Sequence, residues 1–179
     1  MSIYLIRHGK TEANEQHLYC GSTDLPLSEK GRAELRAMGY HITPKRFVTS
    51  GMKRTDETLR ILFGNVPYCV DSRFREVDFG AFEMKSYEML KEKAAYQAWL
   101  TGDNERNVPP DGESGVQMTR RVLEAFREIP DGTALVTHGG VIAAIMASLF
   151  PADGKHRYQW QPRNGHGYEI RGGTYRPIP

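Results

Sequence analysis

Several features that mark special classes of protein are missing from this sequence or scarce in it. It contains no apolar run of roughly eighteen residues, so no membrane-spanning helix is expected. Arg7 interrupts the one apolar stretch near the N-terminus, which argues against a signal peptide. The net charge of +2 is too small to favour nucleic acid or an anionic membrane surface. Neither is therefore an expected partner.

Cysteine is scarce as well. The two cysteines, Cys20 and Cys69, form neither a CxxC pair nor a disulfide framework, so a reducing cytoplasm is the expected compartment. The 179 residues contain no internal repeat or low-complexity tract, and this length suits one domain. Apolar residues make up 39% of the chain and charged residues 26%, as in ordinary globular proteins. We therefore expect a single domain over residues 1–179.

Strands and helices alternate along the chain. Short apolar runs rich in β-branched residues predict buried strands, and apolar residues at three- to four-residue steps predict helices. The predicted strands are 2–6, 47–49, 69–70 and 133–137, and the predicted helices are 28–39, 53–63, 87–100, 114–130 and 141–150. This alternation predicts an α/β fold with a mainly parallel sheet. The polar segment 101–115, which contains prolines and glycines, is expected to be a loop near a site rather than a linker.

Two of the predicted strands end in the same way. The strand 2–6 leads into Arg7-His8-Gly9, and the strand 133–137 leads into His138-Gly139-Gly140. Ligands of parallel α/β sheets collect at the C-terminal ends of strands, so both histidines are expected to line one pocket. The glycines let backbone N–H groups approach an anion. One such histidine is more often structural, but two in matching contexts favour a functional site.

A third strand end contributes an arginine. Residues 47–50 run into Gly51-Met52-Lys53-Arg54, which places Arg54 in the first turn of the next helix. A cation is unfavourable at a helix N-terminus, so Arg54 either leans over an anion or is a solvated surface residue. The planar arginine fork suits phosphate, because it donates two parallel hydrogen bonds. Two arginines and two imidazoles around one pocket describe a phosphoryl site.

Four motifs, in this order along the chain, resemble the histidine phosphatase superfamily. They are LIRHG with TEAN and DLPLS (5–28), SGMKRTDET (50–58), REVDFG with Phe82-Glu83 (75–83), and VTHGG (136–140). The resemblance implies the phosphoglycerate mutase-like fold, a three-layer αβα sandwich with a mainly parallel central sheet. The short chain and the stretch PPDGES (109–114) look most like the small bacterial α-ribazole phosphatase type. The sequence departs from the family pattern at Cys20, at Phe82 with Met84, and at Asp111. These departures bear on the identity of the substrate more than on the type of reaction.

The resemblance also implies a role for each site residue. His8 is the nucleophile and forms a phosphohistidine that water then hydrolyses. Glu76 is the candidate general acid for the leaving alkoxide and later the base for water. The other site residues are the charge-stabilising Arg7, Arg54 and His138, and the substrate-binding Asn14, Cys20, Gly21 and Gly139, the two glycines acting through their backbones. Arginine charge takes the place of a divalent ion in this scheme, so neither a metal nor a cofactor is expected.

Some of these assignments have alternatives. Glu76 could instead form a salt bridge to Arg73 or Arg75, and the other candidates for the acid are Asp78, Glu83 and Glu113. Tyr96 and Trp99 are expected to pack a helix, although they lie near the 101–115 loop and a role in covering the substrate stays open. The residues left outside the site are His17, His41, His156, His166 and Asn164.

Three functions compete on the sequence alone. The first is a phosphatase acting on a small phosphomonoester, with α-ribazole 5′-phosphate as the substrate that the resemblance suggests. The second is a phosphoglycerate mutase, although 179 residues leave little room for the segments that enclose a mutase site. The third is a non-catalytic module that binds a phosphorylated ligand, against which the presence of every assigned catalytic residue argues. The physiological substrate and the oligomeric state, a homodimer included, stay open.

Overall fold

The architecture is taken from a computed structural model that describes residues 2–179. Its strands are β1 (Ser2–Arg7), β2 (Arg46–Thr49), β3 (Cys69–Val70), β4 (Thr133–Thr137), β5 (Gly167–Arg171) and β6 (Thr174–Ile178). Its α-helices are α1 (Glu12–Glu15), α2 (Glu29–Ala37), α3 (Lys53–Phe63), α4 (Tyr87–Leu90), α5 (Ala94–Leu100), α6 (Gly115–Phe126) and α7 (Gly139–Leu149). Short 3₁₀ turns lie at Ser72–Phe74, Gly80–Phe82, Pro151–Asp153 and Arg157–Trp160. None of the helices in the described residues is long and apolar enough to cross a membrane.

One sheet runs through the molecule, with the strand order β3-β2-β4-β1-β5-β6. Strands β1 to β4 pair in parallel with one another, whereas β5 and β6 form an antiparallel hairpin that pairs with β1. The prediction of a mainly parallel α/β sheet is therefore confirmed. Between β1 and β4, Ile3 lies opposite Thr133 and Arg7 lies opposite Thr137. Both strands consequently end at the same edge of the sheet, directly before His8 and His138.

Alternate residues of β1 enter two different hydrophobic cores, since successive side chains of a strand point to opposite faces. Ile3 and Leu5 pack with residues of α6 and α7 on one face of the sheet. Tyr4 and Ile6 pack with Leu59 of α3 on the other face. The sheet is thus covered by helices on both sides, which gives the three layers that the family resemblance implies.

The single helix predicted over 87–100 is wrong in one respect, because the structure divides it into α4 and α5. Leu90 and Tyr96 are both buried in a small cluster with Phe82. These two residues are six positions apart, and 3.6 residues per turn would place them on different faces of a continuous helix. The break at Lys91–Lys93 lets both side chains face the same cluster.

The sequence prediction misses α1 and the hairpin of β5 and β6. The hairpin turns at Gly172 and Gly173, where φ is 57° and 79°, values that favour glycine. A two-residue glycine turn between apolar-alternating segments is a recognised hairpin signal, so the sequence carries this information. Helix α7 also begins at Gly139 rather than at the predicted Val141, which makes His138 its N-cap residue.

Candidate active site

The two histidines predicted to share a pocket lie side by side. The His8 N–H donates to the Thr137 carbonyl at 2.9 Å, which continues the pairing of β1 with β4 beyond the strand. The His8 and His138 ring centroids are 5.2 Å apart, with an interplanar angle of 65°. Both side chains are buried. The parallel register of two strands that are distant in sequence therefore creates the centre of the site.

The surroundings of His8 determine its tautomer. Its Nδ1 lies 2.6 Å from the Gly9 carbonyl oxygen, which can only accept, so Nδ1 carries the hydrogen. Burial, and then the positive charges of Arg54 and Arg7, lower the pKa of His8 well below its usual value. A neutral ring protonated at Nδ1 has its lone pair on Nε2. This is the form of imidazole that attacks phosphorus.

His138 is held by a hydroxyl rather than by a carbonyl. Its Nε2 lies 2.8 Å from the Ser50 Oγ, at the end of β2. Burial and the charge of Arg54, followed by smaller contributions from His8 and Arg7, lower the pKa of His138 well below the usual value. The His138 Nδ1 is buried and has no hydrogen-bond partner within residues 2–179. Ser50 has no role among the sequence predictions, although it is the first residue of the arginine motif at 50–58.

Both arginines are held by backbone carbonyls, Arg54 fully buried and Arg7 half-buried. Arg54 donates from Nη1 to Thr23 at 2.8 Å and from Nη2 to Gly21 at 2.7 Å. Arg7 donates from Nη1 to Pro162 at 2.7 Å. Burial lowers the pKa of each guanidinium, because no compensating carboxylate pairs with either one in the described chain. The alternative of Arg54 as a surface residue is excluded, since it is 1% exposed.

A capping box sets the orientation of Asn14. The Thr11 hydroxyl caps α1, and the Asn14 Oδ1 accepts the Thr11 N–H at 2.9 Å in return. The Asn164 Nδ2 lies 3.4 Å from the same Oδ1 and donates to the His8 carbonyl at 3.1 Å. Because these donors occupy Oδ1, the group that Asn14 can offer to a ligand in the cavity is its amide NH₂. Asn164, which sequence reasoning left out, thus contacts both Asn14 and the His8 backbone.

Glu76 is anchored at the N-terminus of α7. Its Oε2 accepts the Gly140 N–H at 2.9 Å and its Oε1 accepts its neighbour's N–H, that of Val77, at 3.0 Å. A Cβ at position 140 would displace the Glu76 carboxylate from this place. The alternative ion pair with Arg73 is not formed, since Arg73 instead pairs with other carboxylates, those of Asp71 and Glu128. Arg75 lies nearest the Ser50 carbonyl, to which its Nε donates at 3.4 Å.

Glu83 holds the loop that carries Gly21. Its carboxylate accepts the N–H groups of Gly21 and Ser22, both at 2.9 Å, and the Thr23 hydroxyl at 2.8 Å. The Gly21 N–H, which the sequence predicts as a donor to substrate, is thus bonded to Glu83 in this structure. Gly21 contributes its carbonyl oxygen to Arg54 instead, and a Cβ at this position would collide with the Val77 carbonyl.

The two remaining candidates for the acid are also engaged with protein groups. Asp78 accepts the Ser22 hydroxyl at 2.8 Å and the Gly80 N–H at 2.9 Å. Glu113 forms an ion pair with Arg121 at 2.7 Å. Of the four carboxylates considered, Glu76 is the one at the α7 N-terminus beside His138.

A cavity of about 420 Å³ adjoins this cluster at Arg7 and Glu76, whereas the more deeply buried His8, Arg54 and His138 are not among its lining residues. One group of its lining residues belongs to the predicted site: Arg7, Asn14, Cys20 and Glu76. A second group, which we call the outer wall, is largely aromatic or apolar: Tyr19, Val77, Phe79, Trp99, Met118 and Tyr158. The 101–115 loop contributes Asn104, Glu105 and Glu113 to the lining. Trp99 therefore borders the cavity, whereas Tyr96 is buried behind it.

Nothing in the described part of the chain has the ligand set of a metal centre. No group of three or more His, Cys, Asp or Glu side chains in residues 2–179 could hold a metal ion. His17, His41 and His156 are exposed, and His166 is half-buried.

The chain is similar in sequence to known enzymes of one family. The family model of the histidine phosphatase superfamily (branch 1) matches residues 3–177. An adenosylcobalamin/alpha-ribazole phosphatase of Salmonella typhimurium is 34% identical over 162 residues, which cover 83% of this chain and 79% of that protein. A protein of Salmonella arizonae named "probable phosphoglycerate mutase GpmB" is 30% identical over 162 residues, covering 83% of this chain and 74% of its own.

One of the matching solved structures is the crystal structure of the alpha-ribazole phosphatase from Shigella flexneri. It superposes with a TM-score of 0.82, and the match covers 99% of this chain and 96% of that one. Sequence identity in this comparison is 24%, so the match concerns the fold.

Proposed function

Because this chain belongs to the histidine phosphatase superfamily, we propose that it hydrolyses phosphomonoesters through a phosphohistidine formed at His8. The observation that carries this proposal is the state of the His8 ring. It is buried and neutral, with Nδ1–H held by Gly9, and it lies close enough to two arginines for their charges to lower its pKa. The fixed Nδ1–H leaves the lone pair on Nε2, and the two cations attract the anionic phosphoryl group. This arrangement suits nucleophilic attack on phosphorus.

In the first half-reaction the His8 Nε2 bonds to phosphorus as the bond from phosphorus to the ester oxygen breaks. Negative charge on the equatorial phosphoryl oxygens is stabilised by Arg7, Arg54 and His138. The Asn14 amide and the Gly139 N–H are the further donors in this scheme. Glu76 gives its proton to the departing oxygen, which leaves as the neutral alcohol.

In the second half-reaction water replaces the alcohol. Glu76, now a carboxylate, takes a proton from water as the water oxygen bonds to phosphorus. The bond between Nε2 and phosphorus breaks, inorganic phosphate leaves, and His8 and Glu76 return to their starting states. The Nδ1–H of His8 stays bonded to Gly9 throughout, so the ring needs no change of tautomer.

The cavity supports a substrate with a large, planar and mostly apolar alcohol. Its volume of about 420 Å³ falls in the range of small-molecule sites, and the outer wall carries four aromatic rings. A phosphatase relative at 34% identity is named for alpha-ribazole. We therefore propose α-ribazole 5′-phosphate as the first substrate to test. Relatives named as mutases make phosphoglycerate the second.

The experiment that tests this function traps the intermediate. Substrate carrying a radiolabelled phosphoryl group should leave label on the protein that survives alkali and is lost in acid, as expected of a phosphoramidate. His8→Ala should abolish both label and turnover, whereas His41→Ala, at an exposed histidine, should change neither. Label that persists on the His8→Ala protein would overturn the role of His8. Isomerisation of phosphoglycerate without net phosphate release would favour the mutase instead.

Independence from metal ions is part of the same proposal. Since Arg7 and Arg54 supply the positive charge, hydrolysis should continue in excess chelator. Vanadate, which mimics pentacoordinate phosphorus, should inhibit. Activity that collapses on chelation and returns with magnesium would contradict this scheme.

A further inference from the structure

The segment from Arg73 to Glu76 lies outside the sheet, yet each of its backbone carbonyls is hydrogen-bonded. Thr137, the last residue of β4, donates its hydroxyl to the Phe74 carbonyl at 2.7 Å. The carbonyls of residues 73, 75 and 76 all accept hydrogen bonds from one side chain, Arg121 of α6. An irregular segment must find partners for its backbone groups. Here a single guanidinium serves three of the four carbonyls.

Every nitrogen of the Arg121 guanidinium is used. Nη1 donates to the Arg73 and Arg75 carbonyls, both at 2.7 Å. Nη2 donates to the Glu76 carbonyl at 3.0 Å and to the Glu113 carboxylate at 2.7 Å, and Nε donates to that carboxylate at 2.7 Å. Only arginine presents five donors in a rigid planar fork. A lysine at this position could not make the same set.

Glu113 extends the arrangement to the residues that follow Glu76. Its own N–H donates to the Asp78 carbonyl at 2.8 Å. One turn further on, the Ala81 N–H donates to the Pro110 carbonyl at 2.8 Å. The acid-bearing segment is therefore attached to α6 on one side and to the end of the 101–115 loop on the other.

We propose that Arg121 is the positioning residue of Glu76, and that it places the general acid without touching the substrate. The inference rests on the proposed function, in which Glu76 protonates the leaving oxygen. The Glu76 carboxylate is aligned by the Gly140 N–H of α7, so its place depends on how the backbone held by α6 sits against α7. A catalytic group misplaced by about 1 Å can cost roughly 10²-fold in rate.

The test compares Arg121→Met with Arg120→Met, the same change at an exposed neighbour on α6. Single-turnover phosphorylation is measured with an alkyl phosphate, whose alcohol leaves poorly without a proton, and with p-nitrophenyl phosphate, whose phenolate leaves well. Arg121→Met should slow the alkyl substrate at least about tenfold more than the aryl one, within the usual reach of acid catalysis. Arg120→Met should leave the ratio of the two rates unchanged. A loss of folded protein would lower the amplitude of both reactions and leave both rate constants unchanged, so the comparison is made on rate constants.

A double-mutant cycle shows whether Arg121 acts through Glu76. In a Glu76→Gln background, Arg121→Met should change the alkyl-to-aryl ratio no further, because residues that act as a unit are not additive. A further drop of the ratio in that background would overturn the proposal. So would equal losses for the two substrates in the Arg121→Met single variant while Glu76→Gln alone is selective.

A readout that needs no catalysis separates this inference from the proposed function. The Gly140 amide resonance in NMR spectra reports on the hydrogen bond to Glu76, and it should move both in Glu76→Gln and in Arg121→Met. An unmoved resonance overturns the positioning role, whether or not the enzyme hydrolyses phosphomonoesters. Should Arg121→Met fail to fold, Arg121→Lys is measured in the same way, with the same direction expected because it keeps the charge and loses the fork.

Discussion

The two ends of the cavity are built differently. The inner end is the cluster of histidines and arginines. His8 and His138 follow directly on parallel strands, and the His8 Nδ1, the His138 Nε2 and at least one Nη of each arginine are held by backbone carbonyls or a hydroxyl. At the outer end, the lining comes from loops and short helices, with ring contacts such as that between Tyr19 and Trp99, whose centroids are 5.8 Å apart. Glu105 of the loop forms an ion pair with Arg157, and the neighbouring Tyr158 hydroxyl donates to Glu105 at 2.9 Å.

This difference bears on how the family can diversify. Positions at the inner end depend on the register of the sheet, so a shift at any one of them disturbs several hydrogen bonds. Aromatic contacts at the outer wall contribute only about 0.5–1.5 kcal/mol each beyond their burial, so they can be exchanged one at a time. The chemical step is therefore expected to be common to all substrates, whereas the outer wall selects among them. The following substitutions test that division.

Breaking the inner end should have the largest effect. Arg54→Lys keeps a positive charge but loses the planar fork that bonds to Gly21 and Thr23. The phosphorylation rate should fall by about 10²–10³, as for the loss of other charge-stabilising donors, and by the same factor for large and small phosphomonoesters. Arg60→Lys, at an exposed position of the same helix, should have no effect. A loss that depends on the size of the alcohol would place Arg54 at the wrong end of the cavity.

The effect of Glu76→Gln on the phosphorylation rate should depend on the leaving group of the substrate and not on its size. The substitution keeps the shape of the side chain and removes its titrating proton. The phosphorylation rate should drop about a hundredfold for an alkyl phosphate and much less for p-nitrophenyl phosphate. Single-turnover kinetics are needed, because hydrolysis of the phosphohistidine is common to both substrates. Equal losses would make Glu76 a structural residue, and Glu113 would be tested next.

Breaking the outer wall should have a smaller and selective effect. Trp99→Ala removes a ring that borders the cavity. We expect kcat/KM to fall roughly threefold to tenfold for a phosphate ester of a large aromatic alcohol, the equivalent of one aromatic contact, with little change for a small alkyl phosphate. Tyr87→Ala is the matched control, because this exposed tyrosine packs near Tyr96 without lining the cavity. An equal loss for both substrates would show that Trp99 supports the fold instead.

The smallest expected effect concerns stability and pH. Burial and nearby arginines lower the pKa of His8 in the folded protein, so below the ordinary value of about 6.5 the unfolded chain binds the proton first. The free energy of unfolding should therefore fall as pH falls from about 7 to about 5.5, by up to ~1.4 kcal/mol per pH unit for this one group. Replacing it with His8→Gln should flatten that slope, measured by denaturant titration without phosphate. An unchanged slope would mean that the folded His8 ring titrates normally.

Much of the inner end could be inferred from the sequence, because its residues are tied to local patterns. Apolar runs that stop at Arg7-His8-Gly9 and at His138-Gly139-Gly140 mark strand ends, and parallel strands bring their C-terminal ends to one edge. The start of α2 at Ser28 could also be predicted, because an N-cap serine bonds to a backbone N–H only three residues away. The hairpin at Gly172-Gly173 was readable too, although it was missed.

Only the tertiary structure decided which polar groups form hydrogen bonds with one another. The Gly21 amide could serve a substrate or a carboxylate, and the choice of Glu83 depends on packing between segments 62 residues apart. The same holds for Glu76 at Gly140, and for Arg121 against the carbonyls of 73, 75 and 76. Periodicity and caps report the preferences of neighbouring residues, and the sequence by itself therefore determined β1 to β4, most of the helices and the reacting side chains at their ends. The partners of those side chains were decided by the packed structure, because a hydrogen bond between distant segments depends on register and on the relative position of helices, which no local pattern encodes.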